Sequence, residues 1–192
     1  SPIFIFTGGD PFKRPDLFEL VRYADEIGLA AAVSPSGTPL LNRQNLIRLK
    51  EAGTKAISLS IDASNATDHD LFRQVPGSFT RTIEGWKMAR EIGLKLQVNT
   101  TLTRYNLDDL AKLFGLVQEL GAMTWSLFFL VPTGRGQEAD EVTPAEYEAV
   151  MHFLYDVSKY IPAKTTEGHH YKRVVIQRAI LEEKGLPMSD FF

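Results

Sequence analysis

The loop Gly8-Gly9-Asp10 has the residue types of a small ligand site. It directly follows the apolar run Ile3 to Phe6, and Pro11 follows it. Glycine lets a backbone approach a ligand closely, and one adjacent carboxylate accepts hydrogen bonds, so the loop suits a ligand's ammonium group. The same residues also suit a simple tight turn into the next helix. The spacing G-x-G-x-x-G of a dinucleotide site is absent.

Polar residues also alternate with apolar ones at the ends of two later runs. Ser60 and Asp62 end one run, and Asn99 and Thr101 end the next. Polar side chains are costly in a strand buried on both faces unless they are hydrogen-bonded. We expect Ser60 and Asp62 to point into the mouth of a barrel; the alternative is a pair of internally bonded residues.

Arg135 lies between two glycines after the run that ends at Val131. Arginine grips carboxylates and phosphates with two hydrogen bonds, so Arg135 is a candidate substrate contact, although a solvated loop arginine also fits. The adjacent His169 and His170 diverge in direction and have no third ligand at helical spacing. We therefore predict no metal site, and no serine-histidine-aspartate order, Walker loop or other catalytic residue is evident.

The elements that position these residues follow from the hydrophobic pattern. Runs of strand length recur at Ile3 to Phe6, Leu29 to Val33, Ala56 to Ile61, Leu94 to Leu102, Trp125 to Val131 and, more weakly, Ile161 to Thr166. Amphipathic segments of helix length lie between them. One helix follows Pro15, one begins at Asn106 as its N-cap, and one begins with a capping box at Thr143. Four of these helices are followed by glycine just before the next strand, at Gly28, Gly53, Gly93 and Gly121.

Strands that alternate with helices indicate βαβ units and a parallel sheet, hence the α/β class. The unusual residues all follow strands, whereas short turns follow the helices. Because ligands bind at the carboxyl ends of the strands in such folds, this placement favours a TIM-like (β/α) barrel over an open sheet. We expect residues 1–192 to form a single, partial barrel domain.

The composition excludes several classes of partner. The chain of 192 residues has 21 basic and 24 acidic side chains and a net charge of -3, which gives no footprint for nucleic acid. No apolar run is long enough to span a bilayer, so we expect a soluble, cytoplasmic protein with no membrane partner. The chain has no cysteine, so no iron-sulfur cluster can be held by thiolates of these residues.

Taken together and in order, these loops resemble the core of the radical S-adenosylmethionine (radical SAM) enzymes, nearly end to end. Thr7-Gly8-Gly9-Asp10-Pro11 is similar to the family's loop that holds the methionine ammonium of SAM, with Asp in place of Glu. The segment that ends with Pro132-Thr133-Gly134-Arg135-Gly136 resembles a subgroup that modifies peptides or builds cofactors, including heme and pyrroloquinoline quinone. The SAM contacts that the resemblance implies are Gly8, Gly9, Asp10, Ser34, Ser36, Ser60, Asp62, Asn99, Thr101 and Val131.

The resemblance also implies a 4Fe-4S cluster, held by a Cys-x-x-x-Cys-x-x-Cys loop that these residues lack. We therefore expect a truncated fragment without the first βα unit. The full-length parent would reduce SAM to a 5′-deoxyadenosyl radical and act on a small molecule or a peptide, whereas the fragment alone would be inactive. Self-association through the unpaired strand at Ile3 is a further expectation. Two alternatives stay open: a cluster-free TIM-barrel lyase or isomerase, and a non-catalytic module that binds a partner.

Overall fold

A computed structural model describes residues 2–133 and 138–187 of the chain. In this part of the chain six parallel strands form one sheet in sequence order, which curls into a half-barrel. The strands are β1 (Ile3–Phe6), β2 (Ala30–Val33), β3 (Ala56–Ser60), β4 (Lys95–Leu102), β5 (Thr124–Phe129) and β6 (Ala163–Thr166). The predicted α/β class and partial TIM-like barrel are thus confirmed.

The helices of the described part fill the gaps between the strands, as predicted. They are α1 (Leu17–Glu26), α2 (Arg43–Glu51), α3 (Ala66–Arg73), α4 (Ser78–Glu91), α5 (Leu110–Glu119), α6 (Pro144–Val157) and α7 (Tyr171–Lys184). The capping box at Thr143 is present, with Glu146 as its partner. The glycines predicted to end helices all have positive φ: Gly28, Gly53, Gly93 and Gly121. Local sequence signals therefore fix most of the helix ends.

The predicted helix start at Asn106 is confirmed in position but not in its capping bond. Asn106 precedes a 3₁₀ turn, Leu107–Asp109, that leads directly into α5, and its side chain makes no hydrogen bond to that turn. Asn106 is buried, and its Oδ1 accepts the backbone N–H of Thr103 at 2.9 Å. Its Nδ2 donates to the carbonyls of Asp62 and Thr101 at 2.9 and 2.8 Å. The amide thus serves backbone groups at the ends of β3 and β4 instead of capping a helix.

The two faces of the sheet differ in polarity. On β3, Ile57 and Leu59 are fully buried under the helices, while Ser58 and Ser60 alternate with them on the opposite face. The same alternation runs along β4. This polar surface, which faces away from the helices, is called the concave face below. The core lies between the sheet and the helices, and the concave face is left to carry polar chemistry.

Among the described residues, the first strand has a partner on one side only. β1 pairs with β2, and Ile3, Phe4 and Ile5 are 64%, 52% and 53% exposed. A groove of about 900 Å³ runs between β1 and α1 and reaches the loop at Gly8. Within the described ranges no helix is both long and apolar enough to cross a bilayer.

Candidate functional site

The loop after β1 leaves open space beside its backbone. Gly8 and Gly9 have φ of 96° and 24°, and a Cβ built on either residue would meet no atom within 4 Å. The Oγ of Ser36, from the loop after β2, donates to the carbonyl of Gly9 at 2.8 Å. The structure thus brings together three of the predicted SAM contacts, and the space beside the glycines fits an added ligand group.

The carboxylate of Asp10 stabilises this loop. It accepts the Oγ1–H of Thr38 at 2.6 Å, the N–H of Phe12 at 3.2 Å and, over a longer 3.5 Å, the N–H of Ser36. An ionised carboxylate has about four acceptor positions, so one remains for an outside donor. The turn predicted as the alternative is therefore present, and it leaves acceptor capacity for an ammonium group.

A row of polar residues crosses the concave face. The strand register aligns Ser60 with Asn99, Asn99 with Ser126, and Ser126 with Lys164. Aligned residues of parallel strands point to the same side of a sheet, so all four side chains lie on the concave face. This set is called the polar row below. Two predicted SAM contacts, Ser60 and Asn99, form its first half.

The remaining predicted contacts lie around this row. Thr101 lies two residues beyond Asn99 along β4 on the same face, and the Oγ of Ser34 donates weakly to the carbonyl of Ser58 at 3.4 Å. Val131 follows β5 and is 48% exposed. Arg135 lies outside the residues that the structure describes.

Asp62 is an internally bonded residue, which was the alternative that the sequence left open. Its side chain is fully buried, and its Oδ2 accepts from Arg73 Nε at 2.5 Å. Its Oδ1 accepts the N–H of Thr101 at 2.9 Å. A buried carboxylate needs such partners, and Arg73 on α3 supplies the charge that the sequence pattern did not reveal. Contact between Asp62 and SAM remains a prediction.

A buried histidine supports the same region. His69 Nδ1 accepts the backbone N–H of Asp62 at 3.1 Å, and its Nε2 lies 3.4 Å from Ser78 Oγ. Burial lowers the pKa of His69, against a smaller opposing effect of the Asp62 charge. The neutral ring with a proton on Nε2 fits both contacts. His69 therefore acts as a neutral hydrogen-bonding group beneath the ends of the strands.

A second cavity of about 580 Å³ opens beside these residues at the carboxyl ends of the strands. Asp62 and Thr103 line it together with Tyr105 and Leu130. None of its lining residues is shared with the groove along β1. The loop at Gly8 and the side chain of Asp62 therefore line different cavities.

The described residues contain no cluster of histidine and acidic side chains that could hold a metal ion. Cysteine is absent from all 192 residues. The open space beside Gly8 and Gly9 and the remaining acceptor position of Asp10 are compatible with SAM. The residues do not fit an iron-sulfur cluster, which needs thiolate ligands.

Two residues of the polar row were not predicted from the sequence. Ser126 lies within the apolar run of β5, and Lys164 lies on the weakest of the strand signals. Alternation along β5 indicates that Ser126 faces away from Trp125, but only the register places it beside Asn99 and Lys164.

Comparison with known proteins identifies relatives of the chain. It is 43% identical over 191 residues to an AdoMet-dependent heme synthase of Methanosarcina barkeri, with 98% of this chain and 54% of that protein covered. It is 36% identical over 117 residues to a PqqA peptide cyclase of Rhodopseudomonas palustris, with 61% of this chain and 31% of that protein covered. The chain thus spans about half the length of the heme synthase.

A solved structure and a family match complete the comparison. Streptococcus suis SuiB bound to S-adenosylmethionine superposes with a TM-score of 0.71 at 15% identity, over 85% of this chain and 39% of that one. That likeness supports the fold. Residues 1–117 match the family model described as the Radical SAM superfamily. The chain therefore belongs to the radical SAM superfamily of enzymes, whose cofactors are SAM and a 4Fe-4S cluster.

Proposed function

We propose that the chain is the SAM-binding core of a radical SAM enzyme that synthesises heme. The observation that carries this proposal is the 43% identity to a heme synthase across 98% of the chain. The identity to the peptide cyclase covers only 61% of the chain. Since a substrate surface is built from distant parts of a sequence, a relative that is 43% identical over nearly the whole chain is a better guide to the reaction than one that matches 61% of it.

The site supports this proposal through the residues it offers to SAM. The loop Gly8 to Asp10 would receive the methionine ammonium at the free acceptor position of the carboxylate. Ser60 and Asn99 would hold polar groups of the same ligand from the polar row. Further proposed contacts are Ser34, Ser36, Asp62, Thr101 and Val131.

The bound cofactor would supply the 5′-deoxyadenosyl radical, with an electron from the cluster. The chain's own residues bind and orient SAM. Because the 192 residues contain no thiolate, we propose that they do not cleave SAM by themselves. A lyase or isomerase that needs no cluster would need a local base, and the carboxylates of the loops are already bonded: Asp62 to Arg73 and Asp10 to Thr38.

A chimaera tests the proposal. Residues 1–192 would replace the matching half of the Methanosarcina heme synthase, and heme formation from that enzyme's own substrate would be measured. We expect the chimaera to form heme. We also expect Asp10→Asn to weaken SAM binding at least tenfold, because a hydrogen bond to a charged group contributes about 1.5 to 3 kcal/mol.

The variants separate charge from loop shape. Asp10→Asn keeps an acceptor for the N–H of Phe12 but removes the negative charge, and Asp10→Glu keeps the charge. Asp16→Asn, on an exposed carboxylate paired with Arg14, is the control and should leave SAM affinity unchanged. A chimaera that folds and binds SAM but forms no heme would contradict the proposed reaction. Equal SAM affinities of Asp10→Asn and the unchanged chain would show that the loop is only a turn.

A further inference from the structure

We propose that Ser126 and Lys164, the second half of the polar row, bind a carboxylate group of the substrate. The inference rests on the proposed function, because it places the substrate beside SAM on the concave face. Among the described residues, neither side chain has a hydrogen bond or an ion pair that would explain its presence in the sheet.

Ser126 is a buried donor without a partner. Its side chain is fully buried, and within the described residues its Oγ makes no hydrogen bond. Buried hydroxyls are nearly always bonded, since an unmade bond costs free energy. The neighbours Trp125 and Leu127 face the helices, so Ser126 faces the concave side, towards a ligand that would complete its bonding.

Lys164 supplies a positive charge that the described residues do not neutralise. It is exposed on β6, and no carboxylate of the described residues lies within 4 Å of its Nζ. The six strands contain two lysines, Lys95 and Lys164, and no acidic residue. The register places both lysines on the concave face. This face therefore favours an anionic ligand.

The order of the row places that ligand beside SAM. Adjacent strands lie about 4.8 Å apart, so Lys164 lies roughly 10 Å across the sheet from Asn99. Ser60 and Asn99 are proposed SAM contacts, and a substrate must lie next to the cofactor that attacks it. Heme, the product named for the relative, has two propionate carboxylates. A carboxylate bound by Lys164 and Ser126 would thus orient a molecule of this class.

Ligand binding by the unchanged 192-residue chain tests the inference without catalysis. The probes are heme and heme dimethyl ester, in which both carboxylates are neutralised, and the readout is quenching of tryptophan fluorescence. Heme bound to the chain can quench both tryptophans, Trp86 and Trp125, so the signal reports binding and the variants locate it. We expect Lys164→Gln to weaken heme binding at least tenfold, the size of a lost hydrogen bond to a charged group. Binding of the ester should not change.

Matched variants separate the site from general effects of charge and folding. Lys112→Gln removes an exposed lysine from α5 and should leave heme binding unchanged. Ser126→Ala should weaken heme binding, yet leave the melting temperature equal or higher, because it removes an unbonded buried hydroxyl. Binding to the exposed apolar edge at β1 would be common to both probes and insensitive to Lys164.

The inference is overturned if the unchanged chain does not bind heme, if heme and its ester respond alike to Lys164→Gln, or if that variant keeps full affinity. These outcomes differ from failure of the proposed function. A chimaera that forms no heme tests the reaction, whereas the acid and ester comparison tests the carboxylate site. If the chimaera forms heme, Lys164→Gln in it should raise KM with SAM affinity unchanged.

Discussion

A single buried histidine, His69, should make the stability of the chain dependent on pH. His69 accepts a backbone hydrogen bond on Nδ1, and burial lowers its pKa below the ordinary value of 6.5. The unfolded chain therefore binds the proton more strongly, so the free energy of unfolding should fall as pH drops through about 6.5. One such group contributes a slope of at most about 1.4 kcal/mol per pH unit.

The variant His69→Asn isolates this effect from the titration of carboxylates. Asparagine Oδ1 can accept the N–H of Asp62 in place of Nδ1 but does not titrate. Urea unfolding of both proteins between pH 5 and pH 8 is the measurement, and the slope should be shallower for the variant. Parallel slopes for the two proteins would show that His69 does not carry the dependence.

The residues that belong to the candidate site were easier to predict from the sequence than the hydrogen-bond partners of their side chains. Asp10 lies in the loop that its neighbours Gly8 and Gly9 indicated. Asp62 was predicted as a possible SAM contact, but its carboxylate is buried and bonded to Arg73, eleven residues later in the chain. The sequence cannot reveal such a partner, because the helix that brings Arg73 back is positioned by packing.

Elements were predictable where local signals decide them. Glycine after a helix and the capping box at Thr143 act within one turn, and both are confirmed. The capping bond expected from Asn106 is absent, because its side chain bonds to backbone groups at the ends of two strands instead of to its own helix. Local rules do not include such tertiary contacts, and these decide where the side chain bonds.

Alanine substitutions at two helical glycines should change the free energy of unfolding in opposite directions. A Cβ at Gly85, on α4, would lie 2.4 Å from Leu41 Cδ2, whereas a Cβ at Gly115, on α5, would meet nothing within 4 Å. Gly85→Ala should lower the free energy of unfolding by about 1 to 3 kcal/mol through overpacking. Gly115→Ala should raise it by about 0.5 to 1 kcal/mol, since alanine is the better helix former.

Chemical denaturation of both variants and of the unchanged chain measures the sign of each change in the free energy of unfolding. They are matched, because each adds one methyl group to a helix interior. Stabilisation by Gly85→Ala would mean that Leu41 moves away at little cost and that α4 is not held closely at this point.

For the whole molecule, the sequence predicted parallel strands, because strands that alternate with helices form βαβ units with right-handed crossovers. It did not predict the register. The polar row depends on that register, since alignment joins Asn99 to Ser126 and Lys164. A shift by one residue would turn Ser126 towards the helices, so the site belongs to the assembled sheet.

The outer edge of this sheet carries the last prediction. Ile3, Phe4 and Ile5 are all more than half exposed on β1, and the backbone edge beyond them has no strand partner among the described residues. Such an edge pairs readily with another chain.

We expect the 192-residue chain to self-associate in sedimentation velocity, with the associated fraction rising with concentration. Ile5→Lys should suppress association, because a charged side chain disfavours pairing at an edge. Leu71→Lys, at a 75% exposed position on α3, is the control and should not. A monomer at every concentration, or equal suppression by both lysines, would mean that β1 does not mediate association.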